Sequence, residues 1–138
     1  MEIRFFQLPQ HNDSRGNLVA IEAVKDIPFD IKRVYYIYET EQGVVRGFHA
    51  HKRLQQALIC VHGSCKIMLD NGTEKTIVPL NNPAVGLYVA NNIWREMFDF
   101  SPGAVLLVLA SEHYDENDYI RNYKDFLKYV NEEEGEPT

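Results

Sequence analysis

Short runs of β-branched and aromatic residues, each bounded by turn residues, recur along most of this chain. The turn signals follow one another at intervals of roughly 8–12 residues, which leaves room for strands but not for long helices. Many short strands are better accommodated in a closed barrel or a two-sheet sandwich than in an open sheet, because closure removes exposed strand edges. The pattern therefore predicts an all-β domain with about eight to eleven strands.

The pattern changes to a helical one near the C-terminus. Between residues 115 and 130, large side chains recur at helical spacing, namely Tyr119, Tyr123, Phe126, Leu127 and Val130. Asp118 would then lie in the first turn of a helix, where a carboxylate is favourable. We predict a single domain over residues 1–130 that ends in this helix, followed by an acidic tail over residues 131–138.

Composition restricts the classes of function that the chain can have. Its 138 residues suffice for one sizeable core, and its net charge of -6 argues against general binding to nucleic acids or anionic membranes. No apolar run approaches the roughly 18 residues of a membrane span, and the N-terminus lacks the apolar core of a signal peptide. We therefore expect a cytoplasmic protein. Cys60 and Cys65 are expected to be reduced thiols in or near the core.

Two histidines one residue apart, His49 and His51, lie in a strand predicted over residues 45–51. Because side chains alternate between the two faces of a strand, both imidazoles face the same side. Such a pair can bind a metal ion, transfer protons on an organic substrate, or pack inside the barrel. A single interior histidine is usually a hydrogen-bonded core residue, but two together are costly to bury without a purpose.

The residues after the histidine pair resemble the first metal-binding motif of the cupins, in which a glutamate and then a glycine follow the two histidines. In this chain Gln56 stands in place of the glutamate, whereas Gly63 keeps the glycine. Arg95 falls near the position of the histidine that a later cupin motif supplies. A neutral amide is a weak ligand for divalent metals and a guanidinium stays protonated. We therefore predict that this site holds no metal ion.

A strand predicted over residues 31–38 places polar chemistry on its inward face. Ile31, Arg33, Tyr35 and Ile37 share that face. A charged side chain and a hydroxyl group are unusual on the inward face of a plain core. Histidine titrates near neutrality, tyrosine can exchange a proton with oxygen, and arginine pairs with phosphate. Together these residue types predict acid–base chemistry on an anionic substrate.

Six segments together resemble the dTDP-4-keto-6-deoxyglucose 3,4-ketoisomerases of bacterial surface-glycan synthesis. They cover residues 13–18, 26–37, 46–52, 85–89, 94–97 and 109–116. The resemblance implies a cupin-type jelly-roll β-barrel with a C-terminal helix that works without metal or cofactor. It also implies a homodimer with exchanged N-terminal strands. The implied reaction converts dTDP-4-keto-6-deoxy-D-glucose through an enediol to its 3-keto isomer, which feeds 3-amino-3,6-dideoxyhexose synthesis for lipopolysaccharide and S-layer glycans.

On this resemblance, His49, His51 and Tyr35 are the catalytic residues. His49 is expected to shuttle the carbon proton, Tyr35 to serve the substrate oxygens, and His51 to act as a second acid–base or orienting group. The residues expected to bind substrate are Arg33, Arg46 and Lys52 at the pyrophosphate, Tyr88 or Trp94 beside the base or sugar, and Arg15 and Arg95 at the sugar.

Two other functions stay open at this level. A 3,5-epimerase of the same nucleotide sugar also uses a histidine base in a related barrel, and a non-catalytic cupin could bind a sugar nucleotide. Among the ketoisomerases, Arg15 resembles one subgroup and Arg95 another. Because these positions resemble the ones that separate galacto from gluco products, the C4 configuration of the product is left open.

Overall fold

The computed structural model describes residues 1–135 of the chain. In chain order the strands are β1 (Phe5–Gln7), β2 (Gln10–Asp13), β3 (Gly16–Val19), β4 (Arg33–Ile37), β5 (Arg46–His51), β6 (Gln56–His62), β7 (Cys65–Asp70), β8 (Lys75–Leu80), β9 (Val85–Val89), β10 (Trp94–Phe98), β11 (Val105–Ala110) and β12 (Tyr119–Ile120). A 3₁₀ turn, Glu116–Asp118, precedes β12, and helix α1 (Tyr123–Gly135) follows it.

The strands form two antiparallel five-stranded sheets and one separate hairpin. The first sheet has the order β1-β9-β6-β11-β4, the second has the order β12-β5-β10-β7-β8, and β2 pairs with β3. From β4 to β11 the chain changes sheet at every step except between β7 and β8. This alternation winds the chain around a common interior, and it confirms the predicted jelly-roll fold with a C-terminal helix.

The main core fills the space between the two sheets. Both sheets contribute to it through alternate residues of their strands, as the period of a strand requires. Its buried members include Leu58 and Leu106 from the first sheet and Ile67 and Met97 from the second. Cys60 and Cys65 are buried in the same cluster as free thiols, as predicted.

Two smaller clusters cover the outer faces of the sheets. Ile27 and Phe29, from the segment between β3 and β4, pack over the first sheet against Ala57. On the second sheet, α1 packs Phe126 against Trp94, with ring centroids 5.8 Å apart. Each sheet therefore has an apolar cluster packed on its outer face. Polar side chains that point inward are exceptions in this otherwise apolar arrangement.

Two expectations about local structure were wrong. The helix predicted from residue 115 begins only at Tyr123, because the preceding residues form the 3₁₀ turn and then pair with β5 as β12. Residues 11–17 all have turn-forming composition, which favours a loop throughout, yet they belong to the β2–β3 hairpin. The helix continues to Gly135 through part of the predicted acidic tail, and residues 136–138 lie outside the described chain. Within residues 1–135, no helix has the length and apolar character needed to cross a membrane.

We predict that Phe126→Ala destabilises the protein by about 3–5 kcal/mol, because the ring is fully buried between the helix and the second sheet. Urea unfolding followed through the fluorescence of Trp94, the single tryptophan of the chain, measures the loss. Ile77→Ala is the matched control, since Ile77 is mostly exposed, and its effect should stay within about 0.5 kcal/mol. Equal losses in the two variants would contradict this account of the helix.

Candidate active site

A cavity of about 410 Å³ opens between edge strand β4 of the first sheet and strands β5, β10 and β12 of the second. Its lining includes three tyrosines, one histidine and three arginines, namely Tyr35, Tyr36, Tyr119, His49, Arg33, Arg46 and Arg121. The acidic chain thus concentrates positive charge at one concave place. Such a cavity suits an anionic ligand better than an apolar one.

The start of β5 is irregular, and this irregularity positions the histidine pair. Opposite β10, the pairing steps from His49 directly to Gly47, so Phe48 is an extra residue in β5. Gly47 has φ 97°, and a Cβ atom there would lie 2.8 Å from the carbonyl oxygen of Arg95. The bulge therefore requires glycine at position 47. After it, His49 and His51 face the same side, as predicted, with ring centroids 5.0 Å apart.

His49 is held in one orientation by the bulge. Its Nδ1–H donates to the carbonyl oxygen of Gly47 at 3.0 Å, which leaves Nε2 as the unprotonated ring nitrogen. Nε2 is buried and has no hydrogen-bond partner among residues 1–135. Burial, together with the positive charge of Arg95, lowers the pKa of His49 to about 4. The ring is therefore neutral near pH 7 and presents a free base.

His51 lies deeper than His49 and is fully buried. Its Nδ1–H donates to Oδ2 of Asp118 at 3.1 Å, and its Nε2 has no partner within the described chain. Burial, together with the positive charge of Arg95, lowers the pKa of His51 well below its ordinary value. Both imidazoles are thus neutral, and each has an unsatisfied Nε2.

A buried chain of hydrogen bonds joins Arg95, Gln56 and Tyr35. Nη1 of Arg95 donates to Oε1 of Gln56, and Nε2 of Gln56 donates to the hydroxyl oxygen of Tyr35 at 2.9 Å. The hydroxyl oxygen of Tyr35 is an acceptor in this chain, so its own proton is left for another acceptor. Burial raises the pKa of the Tyr35 hydroxyl, while Arg95 and the bond from Gln56 oppose the shift. Tyr35 therefore stays protonated near pH 7.

The residues around the histidine pair do not fit a metal ion. Arg95 is fully buried and stays a cation, since burial lowers its pKa only to about 10. Its Nε and Nη2 atoms donate to the carbonyl oxygen of Ile93, at 3.3 and 3.0 Å. The carbonyl oxygen of Gln56, the only good ligand atom of that amide, is already bonded to Arg95. No group of three His, Cys, Asp or Glu side chains suited to a metal occurs in residues 1–135.

The arginines of the cavity differ in how strongly they are already paired. The guanidinium of Arg33 lies 5.3 Å from the ring centre of Tyr35, and its buried Nε and Nη2 have no partner in the described chain. Arg121 is held by Glu116 through bonds of 2.6 and 2.9 Å and lies over the ring of Tyr119 at 4.2 Å. Unpaired buried donors are costly, so Arg33 is the arginine best prepared for an anionic ligand.

Four predicted site residues lie away from this cavity, and two more, His51 and Arg95, are buried behind its lining. Trp94 packs under α1, and Nζ of Lys52 lies 5.8 Å from the ring of Tyr129. Tyr88 lines a second cavity, of about 450 Å³, beside the N-terminal residues. Arg15 is exposed on the β2–β3 hairpin, where it pairs with Asp13. Tyr35, His49, His51, Arg33, Arg46 and Arg95 do come together.

Sequence reasoning missed Tyr119, Arg121 and Asp118 as residues of the site. They were assigned to a helix, yet β12 pairs Tyr119 with His51 and brings its ring to 4.3 Å from the imidazole. The sequence identifies Gln56 only as the residue that replaces a metal-binding glutamate, and no sequence pattern predicts its bond to Tyr35. No local sequence pattern predicts β12, because this strand is only two residues long.

Known relatives match nearly the whole chain. The family described as FdtA: WxcM-like, C-terminal matches residues 1–131. A curated relative, the TDP-4-oxo-6-deoxy-alpha-D-glucose-3,4-oxoisomerase of Aneurinibacillus thermoaerophilus, is 54% identical over 130 residues, which cover 94% of each chain.

Two solved structures show the same architecture. A point mutant of the 3,4-ketoisomerase QdtA from Thermoanaerobacterium thermosaccharolyticum, in complex with TDP-4-keto-6-deoxyglucose, is 49% identical, covers 97% of both chains and superposes with a TM-score of 0.94. The TDP-quinovose 3,4-ketoisomerase WlaRB from Campylobacter jejuni is 51% identical, with a TM-score of 0.87 over 91% of this chain and 97% of that one.

Proposed function

The chain belongs to the FdtA family (WxcM-like, C-terminal), and on that premise we propose that it is the 3,4-ketoisomerase of dTDP-4-keto-6-deoxy-D-glucose. The observation that carries this proposal is the 54% identity with a curated oxoisomerase of this sugar nucleotide over 94% of the chain. The residue chemistry agrees, since the reaction moves protons and needs no net oxidant. The 3,5-epimerase and the non-catalytic binding module are weaker alternatives, because the relatives above are named as isomerases that move the keto group.

In the first step, Nε2 of His49 removes the proton from C3, which is acidic because the C4 ketone is adjacent. The electrons of the C3–H bond form the C3=C4 double bond, and the C4 oxygen takes the proton of Tyr35. This yields an enediol, an imidazolium at His49 and a phenolate at Tyr35. The neutral state of His49 and the free proton of Tyr35 support these roles.

In the second step, the C3 hydroxyl returns a proton to the Tyr35 phenolate while the C3 ketone forms. The electrons of the double bond then take a proton at C4 from the His49 imidazolium, so both residues regain their starting states. Gln56 donates to the Tyr35 oxygen, and Arg95 behind it supplies a fixed positive charge, which together stabilise the phenolate. His51 serves as a second acid–base or orienting group beside the sugar.

Three cations would hold the pyrophosphate at the mouth of the cavity, namely Arg33, Arg46 and Arg121. The unpaired donors of Arg33 support its part in binding. Lys52, Tyr88 and Trp94 take no part in binding within a single chain, because their side chains lie away from this cavity. In the cytoplasm, the 3-keto product would be consumed by an aminotransferase acting at C3.

We also propose a homodimer in which the β2–β3 hairpin of one copy reaches the active site of the other. Within residues 1–135 the hairpin pairs with no other strand, and a lone hairpin is only marginally stable in water. Leu18 on the hairpin and Tyr36 on the outer face of β4 are both mostly exposed, which leaves apolar surface for a partner to cover. Strand β1 pairs with β9 of its own chain, so the exchanged segment would be the hairpin.

Incubation with dTDP-4-keto-6-deoxyglucose in deuterated water should yield the 3-keto isomer, detected by NMR. Addition of a C3 aminotransferase traps the product and reveals its C4 configuration. Deuterium at C5 would instead support the 3,5-epimerase. Measurable binding without any change in the substrate would instead support the non-catalytic binding module.

His49→Asn should lower kcat by about 10²–10⁴-fold, because the carbon base is lost. Affinity for dTDP should stay within about tenfold, since the arginines hold the phosphates. Steady-state kinetics and calorimetry measure the two effects. His62→Asn is the matched control, because His62 bonds to Gly103 away from the cavity and should leave kcat unchanged. Full activity of the His49 variant would refute the assigned base.

Exchange of the hairpin predicts complementation between two inactive variants. Arg15→Ala and His49→Asn chains, co-refolded in equal amounts, should recover about a quarter of wild-type activity, because half of the dimers are mixed and each has one intact site. Each variant refolded alone provides the baseline. Dimers without any recovery would show that Arg15 serves its own chain or none.

A further inference from the structure

We propose that Asp118 is a positioning residue that fixes the tautomer of His51, so that Nε2 of His51 faces the substrate as a hydrogen-bond acceptor. The inference rests on the proposed function for its catalytic consequence, but the tautomer itself can be measured without any turnover. Asp118 is 67 residues from His51 in sequence, and the 3₁₀ turn before β12 brings the two together.

The carboxylate of Asp118 is built into the backbone around it. It is almost fully buried, and Oδ1 accepts the N–H of Arg53 at 2.8 Å. Oδ2 accepts the N–H of Leu54 at 3.3 Å as well as Nδ1–H of His51 at 3.1 Å. An ionised carboxylate has only acceptor atoms, so the ring nitrogen that faces it must carry the proton.

The remaining contacts hold the imidazole of His51 in place. The ring of Tyr119 lies 4.3 Å from it on one side, and the ring of His49 lies 5.0 Å away at an interplanar angle of 84°. With Nδ1 protonated and the ring neutral, Nε2 has a free lone pair. Nε2 is buried and lacks a partner within residues 1–135, so it is an unused acceptor directly behind the cavity lining that His49 and Tyr119 form.

The charges around the ring favour this neutral form. Arg95, Arg33 and Arg121 place positive charge near His51, and His49 disfavours a second proton on the pair. Asp118 is the one negative group bonded to the ring in the described chain. It therefore selects where the single proton of a neutral imidazole resides, in the way that second-layer carboxylates orient histidines in other active sites.

A purely structural role for Asp118 is the competing explanation, because its bonds to Arg53 and Leu54 also close the turn after β5. Asp118→Asn separates the two roles. The amide oxygen can keep the 2.8 Å bond to Arg53, while the amide nitrogen replaces Oδ2, gives up the longer 3.3 Å bond from the N–H of Leu54 and donates to Nδ1 of His51. The proton of His51 would then move to Nε2, with the fold retained.

The test uses ¹⁵N-labelled full-length protein and two-bond ¹H–¹⁵N correlation spectra of the histidine rings. Wild-type His51 should show a protonated Nδ1 and an unprotonated Nε2, and Asp118→Asn should show the reverse. We expect kcat of this variant to fall about 10–100-fold with little change in KM. Asp70→Asn is the matched control, since Asp70 is equally buried but bonds to Tyr123 and Gly72 under α1. It should leave the His51 tautomer and kcat unchanged.

A double variant distinguishes action through His51 from a general loss of structure. If Asp118 acts through the ring, Asp118→Asn should cause no further loss of kcat in a His51→Gln background. A wild-type His51 with its proton on Nε2, or an additive loss in the double variant, would overturn the proposal. A wild-type protein that fails to isomerise the sugar would refute the proposed function alone, because the tautomer measurement does not depend on it.

Discussion

The burial of the Arg95 guanidinium between the two sheets is the constraint on which the chemistry of this site depends. A buried cation must have its donors satisfied, and here carbonyl oxygens from Ile93 and Gln56 accept them without any carboxylate. Burial and this positive charge together keep the neighbouring imidazoles neutral, and the same charge would stabilise the phenolate proposed at Tyr35. A fixed cation of the chain thus lies next to the histidine pair.

The scaffold places each polar group on a different segment, and backbone hydrogen bonds hold those segments together. The Gly47 bulge orients His49, pairing of β12 with β5 brings Tyr119 against the rings, and β4 carries Tyr35 on its inward face. Because the main core lies between the sheets and smaller clusters pack on part of each outer face, the apolar core does not depend on the site. Polar side chains can therefore remain unsatisfied at the cavity until a ligand binds.

Local patterns predicted much of the fold and part of the site. Strand alternation correctly put His49 and His51 on one side and Tyr35 on the inward face of its strand. Local patterns failed near the C-terminus. There the large residues recur at helical spacing and predict a helix, whereas Tyr119 and Ile120 form a two-residue strand by pairing with β5. Trp94, which the family resemblance implied beside the base or sugar, faces α1 instead, because it is adjacent in sequence to Arg95 and points to the opposite face of the strand.

The sequence by itself determined the all-β class, the shared face of the histidine pair and the loss of two metal-ligand positions, because all three follow from residue type and the two-residue period of strands. Only the tertiary structure decided which groups meet. The bond of Asp118 to His51 joins residues far apart in the chain, as does the chain from Arg95 through Gln56 to Tyr35. Such contacts depend on how the sheets pack and where β12 pairs, and no short-range periodicity encodes either.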